Sequence, residues 1–293
     1  MALDTIRPKR FSGKTRKLLE AIKPIIAEYE EKGISLTLRA LYYQLVSRQV
    51  FSNQQTNYFL LSRLLTDARY AGVVDWEIIT DHHRSTEKPS CFDDLQDGLS
   101  SLCAQYRRDK WANQPIYLEV QCEKDALYAV ISPLTSKCGV ALTINRGYTS
   151  ATAIYGCAQR FKAAKQQGKV CVLLYVGDHD PSGLNMSQDI RNRLAEMGAE
   201  VEVVRVALNF EQVKQFGLPP NPVKAKDTRS ADYSQKYGVE CWEVDALKPE
   251  QLVAMIRGEI EQRFDKNLHK ATEELEVEDR KKLRGIIAQL GGV

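Results

Sequence analysis

The sequence lacks the features that mark membrane, secreted and zinc-binding proteins. No apolar run is long enough to cross a bilayer and no signal-peptide pattern opens the chain, so we expect a cytoplasmic protein. The seven cysteines form no CxxC or Cys/His spacing, and this odd, scattered set predicts reduced thiols rather than disulfides or a zinc site. Internal repeats and low-complexity segments are also lacking, which leaves an ordinary globular protein.

Net charge is also small, at +3 over 293 residues, and it identifies no partner by itself. Its distribution is uneven, because residues 1–90 carry 14 Lys or Arg against 10 Asp or Glu. The remainder of the chain is close to neutral. A basic amino-terminal part fits nucleic acid without requiring it.

Apolar periodicity predicts a helical amino-terminal domain over residues 1–90. Three helices and a wing in a segment of this size are typical of a winged-helix DNA-binding domain, and a small helical cap domain is the alternative. The predicted elements are a helix with an apolar stripe from Leu18 to Tyr29, helix Leu38–Arg48, helix Gln54–Ala71, and a short strand or wing at Val73–Thr80.

From Pro115 the pattern changes to alternating strands and helices, which implies a parallel sheet with helices on both faces. We therefore expect an α/β domain over residues 114–247, preceded by a connecting segment at 91–113 and followed by a C-terminal helical extension at 248–293. Residues 219–238 are rich in proline at their start and are expected to be loop-like. The predicted strands are Ile116–Gln121, Val140–Ile144, Lys169–Gly177 and Glu200–Ala207.

Two carboxylates follow the predicted strand Lys169–Gly177. The segment Val176–Gly183 reads VGDHDPSG, so Asp178 and Asp180 lie at the carboxyl end of the strand, where α/β sheets bind ligands. Glu123 follows the first strand at the same edge. Carboxylates held close together repel one another unless a cation lies between them, and hard divalent ions prefer oxygen ligands. The sequence therefore predicts that Glu123, Asp178 and Asp180 bind Mg²⁺.

Other polar residues near these strands have simpler interpretations. A negative charge at the start of a helix offsets the helix dipole, which suits Asp125 and is the alternative for Glu123. Glu119 lies in mid-strand and is a weaker metal candidate. His179 is expected to point away from its neighbouring aspartates, and the Asp-His-His triplet at 81–83 is expected to be a surface turn.

The helix Leu38–Arg48 contains a second candidate site. Helical spacing places Tyr43 off the buried stripe and on the same face as Arg39, one turn earlier. A phenol beside a guanidinium suits nucleophilic attack on phosphorus, because the cation stabilises the phenolate and holds the phosphate. A tyrosine resting on the helix surface is the alternative. The buried stripe is expected to contain Leu38, Leu41, Tyr42 and Leu45.

Together these segments resemble a known family. Glu123-Lys124 and the Asp-x-Asp-Pro-x-Gly turn at 178–183 resemble the Toprim domain of topoisomerases, certain primases and some nucleases, over roughly residues 114–247. Arg39-x-x-Tyr42-Tyr43 resembles the A subunit of topoisomerase VI and the related meiotic double-strand-break transesterase. Supporting matches are Arg146-Gly147-Tyr148 and the segment Glu243–Leu247. The chain is shorter than a typical A subunit and looks closest to stand-alone Mini-A proteins of bacteria and mobile elements.

The resemblance implies a type IIB topoisomerase A-subunit-like enzyme that cleaves double-stranded DNA. In that family the second tyrosine of the pair attacks DNA, which corresponds to Tyr43, and the metal-binding trio corresponds to Glu123, Asp178 and Asp180. The implied reaction is Mg²⁺-dependent transesterification that leaves a 5′-phosphotyrosyl link, with Arg39 neutralising the phosphate. Relatives work as dimers in which the tyrosine of one protomer faces the metal of the other, so a homodimer is expected. An ATPase partner is left open.

DNA contacts are expected from Arg63 and Arg69, on the exposed side of the third helix, as salt-sensitive bonds to phosphates. Such a protein would be associated with the nucleoid in the cytoplasm. Two other functions remain open at this point. One is a Toprim nuclease that hydrolyses DNA with water, and the other is a catalytically silent DNA-binding or partner-recruiting protein.

Overall fold

A computed structural model describes residues 5–32, 36–76, 78–79, 89–145, 147–223 and 229–290. Helices at the amino terminus precede a parallel sheet that other helices flank. The helices are α1 (Gly13–Glu31), α2 (Leu38–Ser47), α3 (Gln55–Tyr70), α4 (Leu95–Gln105), α5 (Tyr128–Cys138), α6 (Ala151–Gln166), α7 (Pro181–Glu196), α8 (Phe210–Phe216), α9 (Ser230–Tyr237), α10 (Pro249–Gln262) and α11 (Lys266–Leu290). The strands are β1 (Ile116–Cys122), β2 (Ala141–Ile144), β3 (Val170–Val176), β4 (Glu202–Ala207), β5 (Asn221–Pro222) and β6 (Glu240–Cys241).

The parallel sheet predicted from the alternating pattern is confirmed. Its four strands run in the order β2-β1-β3-β4, and every pairing between them is parallel. This is a mixed α/β arrangement of Rossmann-like type. Parallel neighbours need crossover connections, and α5, α6 and α7 supply them. The carboxyl ends of β1 and β3 are paired as far as Cys122 and Val176, so the residues that follow them share one edge of the sheet.

Both faces of the sheet are buried. Along β3, Cys171, Leu173 and Tyr175 pack under α6 and α7, whereas Val172 and Leu174 belong to the core that lies on the opposite face. This alternation is the two-residue period of a strand, and it explains why β3 is almost entirely apolar. Helices α5 and α10 cover the second face.

The amino-terminal helices begin where capping residues allow. Ser12 Oγ accepts a hydrogen bond from the backbone of Thr15 (3.3 Å), and Thr37 Oγ1 accepts one from Ala40 (3.1 Å), which satisfies a free N–H group in the first turn of α1 and of α2. The apolar residues of α1, α2 and α3 join the same hydrophobic core that covers the second face of the sheet. Helix α2 packs on the short 3₁₀ turn Val244–Ala246.

The strand or wing predicted at Val73–Thr80 is not formed by the described part of that segment. Gly72, at φ +67°, turns the chain after α3, and Ile79 makes a single parallel bridge with Leu36. Val74 is buried against the helices. The apolar residues that suggested a strand therefore pack against the helical core.

The loop-like interpretation of residues 219–238 is wrong for Ser230–Tyr237, which forms α9. Tyr233 and Tyr237 pack against the ring of His179, with centroid separations of 5.6 and 4.7 Å. His179 is buried among these rings and Trp242, consistent with its expected direction away from the aspartates. Helix α9 is thus held by contacts with His179, which lies 54 residues before Tyr233 in the chain, and periodicity does not reveal such contacts.

The connecting segment and the C-terminal extension pack on each other. Helix α11 lies against α4, and Tyr106 Oη donates a hydrogen bond to Asp279 Oδ2 (2.7 Å). Arg108 donates to the same oxygen from Nε (2.6 Å). None of the described helices is long and apolar enough to span a membrane.

Glu119 is buried in the middle of β1, and its contacts do not suit a metal ligand. Its carboxylate accepts two bonds from the Arg160 guanidinium (2.7 and 2.8 Å) and one from Tyr117 Oη (2.8 Å). Its mid-strand position made Glu119 a weaker metal candidate. The structure gives the physical reason, since its oxygens are already bonded to Arg160 and Tyr117.

Arg160→Met is expected to destabilise the fold, because it leaves a buried carboxylate without its cation. We expect the free energy of unfolding to fall by about 1–3 kcal/mol, less than for a fully buried pair because Arg160 is partly exposed. Urea denaturation of the variant and the wild type measures this. Lys165→Met is the control, since Lys165, which lies on the same helix α6 as Arg160, forms an exposed ion pair with Glu200 (2.8 Å) and its loss should leave the midpoint unchanged. Equal midpoints for all three proteins would contradict the prediction.

Candidate functional site

The acidic turn after β3 is compact because two glycines allow the backbone to approach its neighbours. A Cβ atom on Gly177 would lie 2.6 Å from Glu123 Oε2, and one on Gly183 would lie 2.3 Å from the carbonyl oxygen of Asp178. At Gly183 the neighbouring atom belongs to the backbone and cannot move aside, whereas at Gly177 the Glu123 carboxylate and the Tyr175 ring would have to shift. Glycine at these two positions therefore fixes the close approach of Glu123, Asp178 and the start of α7.

Arg205, on β4, holds the backbone of this turn. Its guanidinium donates to the carbonyl oxygens of Gly177 (3.1 Å) and Gly183 (3.0 Å), and also to that of Asp178. Arg205 was not predicted as a site residue, since an arginine in a strand carries no motif. It supplies positive charge beneath the acidic residues without contacting their carboxylates.

The three predicted acidic residues lie at this edge in different environments. Asp180 is the N-cap of α7 and accepts a hydrogen bond from Gly183 N (2.6 Å). Glu123 Oε2 accepts one from Asp178 N (3.0 Å). Burial raises the pKa of Glu123, and the negative charge of Asp180 adds to that rise. Asp180 and Glu123 thus lie close enough for their charges to interact, as the strand-end argument predicted.

Asp178 is buried and turned toward a lysine. Its Oδ1 atom accepts from Lys124 Nζ (2.8 Å) and from Val244 N (2.8 Å). Burial raises the pKa of Asp178, and the Lys124 ammonium acts in the opposite direction. The carboxylate therefore already has a cation, which the sequence did not predict.

Lys124 contacts two further carboxylates, Glu243 Oε2 at 2.9 Å and Asp245 Oδ2 at 3.2 Å. Although burial opposes it, the charges of Asp245, Asp178 and Glu243 hold the pKa of Lys124 well above its ordinary value. We call Lys124, Asp178, Glu243, Asp245 and Arg39 the charge network. Lys124, Glu243 and Asp245 were predicted only as parts of the motifs that carry the family resemblance, without roles.

Arg39 joins α2 to the charge network. Its Nη2 atom bonds Glu243 Oε2, and its Nε atom lies 2.6 Å from Asp245 Oδ2. Although burial would raise it, the cations Lys124 and Arg39 lower the pKa of Glu243 to about 2, so this carboxylate is ionised. Arg39 is therefore near Tyr43, as predicted, but its charge is shared with two carboxylates.

Tyr43 is buried, which corrects the prediction that it lies off the buried stripe. Only 4% of its surface is exposed, as for Tyr42, because α2 is covered on one side by α1 and α3 and on the other by the Val244–Ala246 turn. Asn221 Nδ2 lies 3.5 Å from Tyr43 Oη as a hydrogen-bond donor. Burial and the charge of Glu243 raise the pKa of Tyr43 despite Arg39, so the phenol is neutral in this environment.

Tyr42 has the core role predicted for it. Its hydroxyl accepts a hydrogen bond from Gln54 N (2.8 Å) and donates to Gln54 O (3.0 Å), which ties it to the start of α3. The two tyrosine rings meet edge to face at 5.4 Å. Tyr42 thus has a structural role, whereas the hydroxyl of Tyr43 has one long hydrogen bond, that from Asn221, within the described part of the chain.

Tyr43 and Asp180 line the same pocket of about 620 Å³. The pocket lies between α2, the first half of α3 and the amino end of α7. Arg39 and Glu243 of the charge network also line it. Helix α2, which carries Tyr43, and the acidic turn were predicted as separate candidate sites. They therefore line one pocket within a single chain. Its other lining residues are Tyr42, Asn53, Gln55, Tyr58, Phe59, Pro181, Ser182, Asn221, Pro222 and Cys241.

The acidic trio has the oxygen donors that Mg²⁺ prefers, but it is not arranged as a metal centre. Over the part of the chain that the structure describes, no group of three or more His, Cys, Asp or Glu is placed to hold an ion. Asp178 Oδ1 is bonded to Lys124 instead. The trio fits a hard cation by chemistry and not in this side-chain arrangement, so the Mg²⁺ site stays a prediction.

The predicted DNA-contacting arginines differ in exposure. Arg63 is exposed on α3 as expected. Arg69 is partly buried, and its Nη2 atom donates to Ile79 O (3.0 Å) while the guanidinium lies over the ring of Trp76. Burial lowers its pKa. Residues 81–83 and Arg146 lie outside the described residues, and Tyr148, which follows Arg146, donates its hydroxyl to Asn185 (2.6 Å).

Comparison with known proteins gives no further assignment, because no family model and no curated protein matches the chain. What the site does must be argued from its residues.

Asp180→Asn is expected to weaken divalent-cation binding without unfolding α7, because asparagine still caps a helix but carries no charge. We expect the affinity for Mn²⁺ to fall at least tenfold in calorimetric titration. Asp94→Asn is the matched control, since Asp94 caps α4 in the same way, with Asp97 N donating to it (2.7 Å). The prediction is wrong if both variants bind Mn²⁺ as the wild type does.

Proposed function

We propose that this protein cleaves double-stranded DNA by transesterification, as an A-subunit-like enzyme of the type IIB topoisomerase kind. In this proposal the amino-terminal helices act as a winged-helix-type DNA-binding domain and the α/β part is a Toprim domain. The observation that carries the proposal is the shared pocket: the hydroxyl-bearing Tyr43 and the acidic turn with Asp180 line one cavity. The shared lining supports the proposal, because a nucleophile and charged groups for a phosphate would act around one position.

The proposed step is attack of Tyr43 Oη on a backbone phosphorus. A bond forms between Oη and phosphorus, and the bond from phosphorus to the 3′ oxygen breaks. The phenolic proton passes to solvent, and the departing 3′ oxygen takes a proton from solvent. The products are a 5′-phosphotyrosyl link and a free 3′-hydroxyl, so atoms and charge balance.

Arg39 has two roles in this proposal. It neutralises the phosphate as the phenol ionises, and it is placed for this because α2 carries it one turn before Tyr43. Its guanidinium is shared with Glu243 and Asp245 in the described conformation, so it must leave them to bind a phosphate. Burial and Glu243 raise the pKa of Tyr43 although Arg39 lies near, so in this proposal the phenol loses its proton once Arg39 is no longer shared with the carboxylates.

Mg²⁺ is the proposed cofactor, held by Glu123, Asp178 and Asp180. A bound divalent ion would supply positive charge against the oxygens of the scissile phosphate. Arg63, exposed on α3, would contact DNA phosphates outside the pocket, whereas Arg69 contributes less because its guanidinium is engaged by Ile79 O.

A homodimer would allow both DNA strands to be cut, one by each protomer. The resemblance places the tyrosine of one protomer against the metal of the other. The pocket supports a different arrangement, in which each chain uses its own Tyr43 and its own acidic turn. An ATPase partner and a nucleoid-associated location in the cytoplasm remain predictions of the resemblance.

Hydrolysis by water is the second candidate function, and the environment of Tyr43 favours it. The phenol is buried and its pKa is raised, and the nearby guanidinium of Arg39 is paired with carboxylates. A Toprim nuclease would use the same acidic edge and leave Tyr43 as a packing residue.

Tyr43→Phe separates the two functions. We expect wild-type protein, incubated with plasmid DNA and Mg²⁺ and then denatured, to carry covalently linked 5′ ends. The variant should form none, a loss of at least a hundredfold, because only the hydroxyl is removed. Gel mobility before and after protease treatment measures the adduct.

Tyr155→Phe is the control for this experiment, because Tyr155 is an exposed tyrosine on α6 away from the pocket. It should form adducts as the wild type does. Free 5′-phosphate ends that persist in Tyr43→Phe would reject transesterification in favour of hydrolysis by water. Wild-type protein that binds DNA and leaves it intact would reject both, in favour of a catalytically silent DNA-binding protein.

A further inference from the structure

Helices α4 and α11 form an antiparallel pair away from the candidate site. From Arg108, just after α4, back to Cys103, the contacts move forward along α11 from Glu276 to Arg280, which fixes the relative direction of the helices. A cavity of about 400 Å³ lies along one side of the pair and is lined by both helices. Over the described part of the chain, the residues that line the pocket beside Tyr43 include none from α4 or α11.

The other side of this helix pair is apolar and exposed. Leu95 and Leu102 on α4, and Leu275 and Ile286 on α11, are 43–73% exposed. Helical spacing turns all four away from the cavity, whose lining includes Gln96, Ser100, Ala104, Arg280, Arg284 and Ala288. Because the two helices are neighbours, these four residues belong to one surface, which we call the apolar face. An exposed apolar surface of this kind marks an interaction site.

Charge on α11 is divided between two consecutive segments. The segment from Glu273 to Asp279 has five acidic residues and no basic one, and the segment from Arg280 to Arg284 has four basic residues and no acidic one. A partner that complements this helix must present the opposite charges in the same places. An identical helix that runs in the reverse direction does so, because its basic segment then faces the acidic segment.

The exposed stripe of α11 recurs at spacings of three and four residues, as in a coiled coil. It contains Leu268, Ala271, Leu275, Glu278, Lys282 and Ile286. A twofold axis beside Arg280 brings Leu275 opposite the partner subunit's Ile286, and it brings Glu278 opposite the partner subunit's Lys282. Both pairs fit one axis, because their members lie at nearly equal distances along the sequence on either side of Arg280. Apolar contact and charge thus specify the same register.

We propose that α4 and α11 bind a second copy of this chain, with the two α11 helices antiparallel and the apolar face of each copy packed on the other. Since α4 runs alongside its own α11, the α11 of the second copy contacts both helices, and four helices form the interface. Burial of the apolar face supplies the free energy, and the charges fix the register. The inference assigns a surface to a homodimer and does not rest on the proposed DNA cleavage.

The order of charges favours a second copy over nucleic acid at this surface. A phosphate backbone is negative along its whole length, so the segment from Glu273 to Asp279 repels it. The apolar face gives phosphates nothing to bind. A reversed copy of α11 satisfies the apolar face and both charged segments together.

Two charge-reversal variants test the interface. Glu278→Lys places a lysine opposite the partner subunit's Lys282, and Lys282→Glu places a glutamate opposite the partner subunit's Glu278. We expect each change to raise the dimer dissociation constant at least tenfold in sedimentation equilibrium, because like charges then meet on both sides of the twofold axis. An equimolar mixture of the two variants should dimerise as the wild type does, since every facing pair in the mixed dimer is again opposite in charge.

Lys281→Glu is the matched control. Lys281 is equally exposed, but its place one residue before Lys282 turns it off the stripe, so this variant should dimerise as the wild type does. Leu102→Ser tests the apolar face on α4 and should also raise the dissociation constant at least tenfold. All the changed side chains are exposed, so unchanged far-ultraviolet circular dichroism is expected. A monomeric wild type would overturn the proposal, as would variants that dimerise normally or a mixture that stays monomeric.

Failure of this inference and failure of the proposed function give different results. Sedimentation involves no DNA, so a dimer through α4 and α11 would stand even if Tyr43→Phe still cleaved DNA. Conversely, phosphotyrosyl adducts formed by a protein that sediments as a monomer would support transesterification and reject this interface.

Discussion

One ammonium group, that of Lys124, lies among carboxylates at one edge of the sheet that would otherwise repel one another. Lys124 Nζ touches Asp178, Glu243 and Asp245 at 2.8–3.2 Å, and these residues come from two parts of the chain that follow β3 and β6. Removing one partner from a buried set of charges costs several kcal/mol, because the remaining charges are then neither hydrated nor paired. The position of the Val244–Ala246 turn against the sheet therefore depends on a lysine at the end of β1.

Two of the carboxylates that Lys124 binds also attach helix α2, which carries Tyr43. Helix α2 packs on the Val244–Ala246 turn, and Arg39 binds the two carboxylates that flank Val244. Burial of α2 between this turn and the other amino-terminal helices covers Tyr43 and keeps its phenol protonated. A phenol that burial and a neighbouring carboxylate both act upon stays neutral, even with the cations Arg39 and Lys124 nearby. The charges around the phenol thus act on the pKa of Tyr43 in opposite directions, with Glu243 raising it and Arg39 and Lys124 lowering it.

The sheet, its strand ends and the location of the acidic turn could be predicted from the sequence, because they follow from local patterns. Apolar strands that alternate with helices specify a parallel sheet, and the residues after β1 and β3 must then share an edge. The partners of Lys124 could not be predicted, since Glu243 lies 119 residues further along the chain. Helix α9 was missed for a related reason, because its tyrosines are held by His179 and not by a local apolar stripe.

The burial of Tyr43 shows where helical periodicity stops being informative. A single apolar stripe describes a helix that faces one layer, and on that basis Tyr43 was expected to lie to the side. Helix α2 has two layers to contact, so the residues from Leu41 to Val46 are all buried. The run LYYQLV contains only one strongly polar residue, Gln44, and this composition was the available signal that the helix is covered on more than one face.

At the edge of the sheet that carries the acidic turn, the backbone is held in place and the charged side chains are able to rotate. The turn itself is fixed, because Gly177 and Gly183 bring it against Glu123 and the Asp178 carbonyl, and Arg205 donates to its carbonyl oxygens. The carboxylates and the two cations of the charge network are attached by rotatable side chains. The charged side chains can therefore exchange partners through new rotamers alone, while the turn and the elements that carry it stay in place.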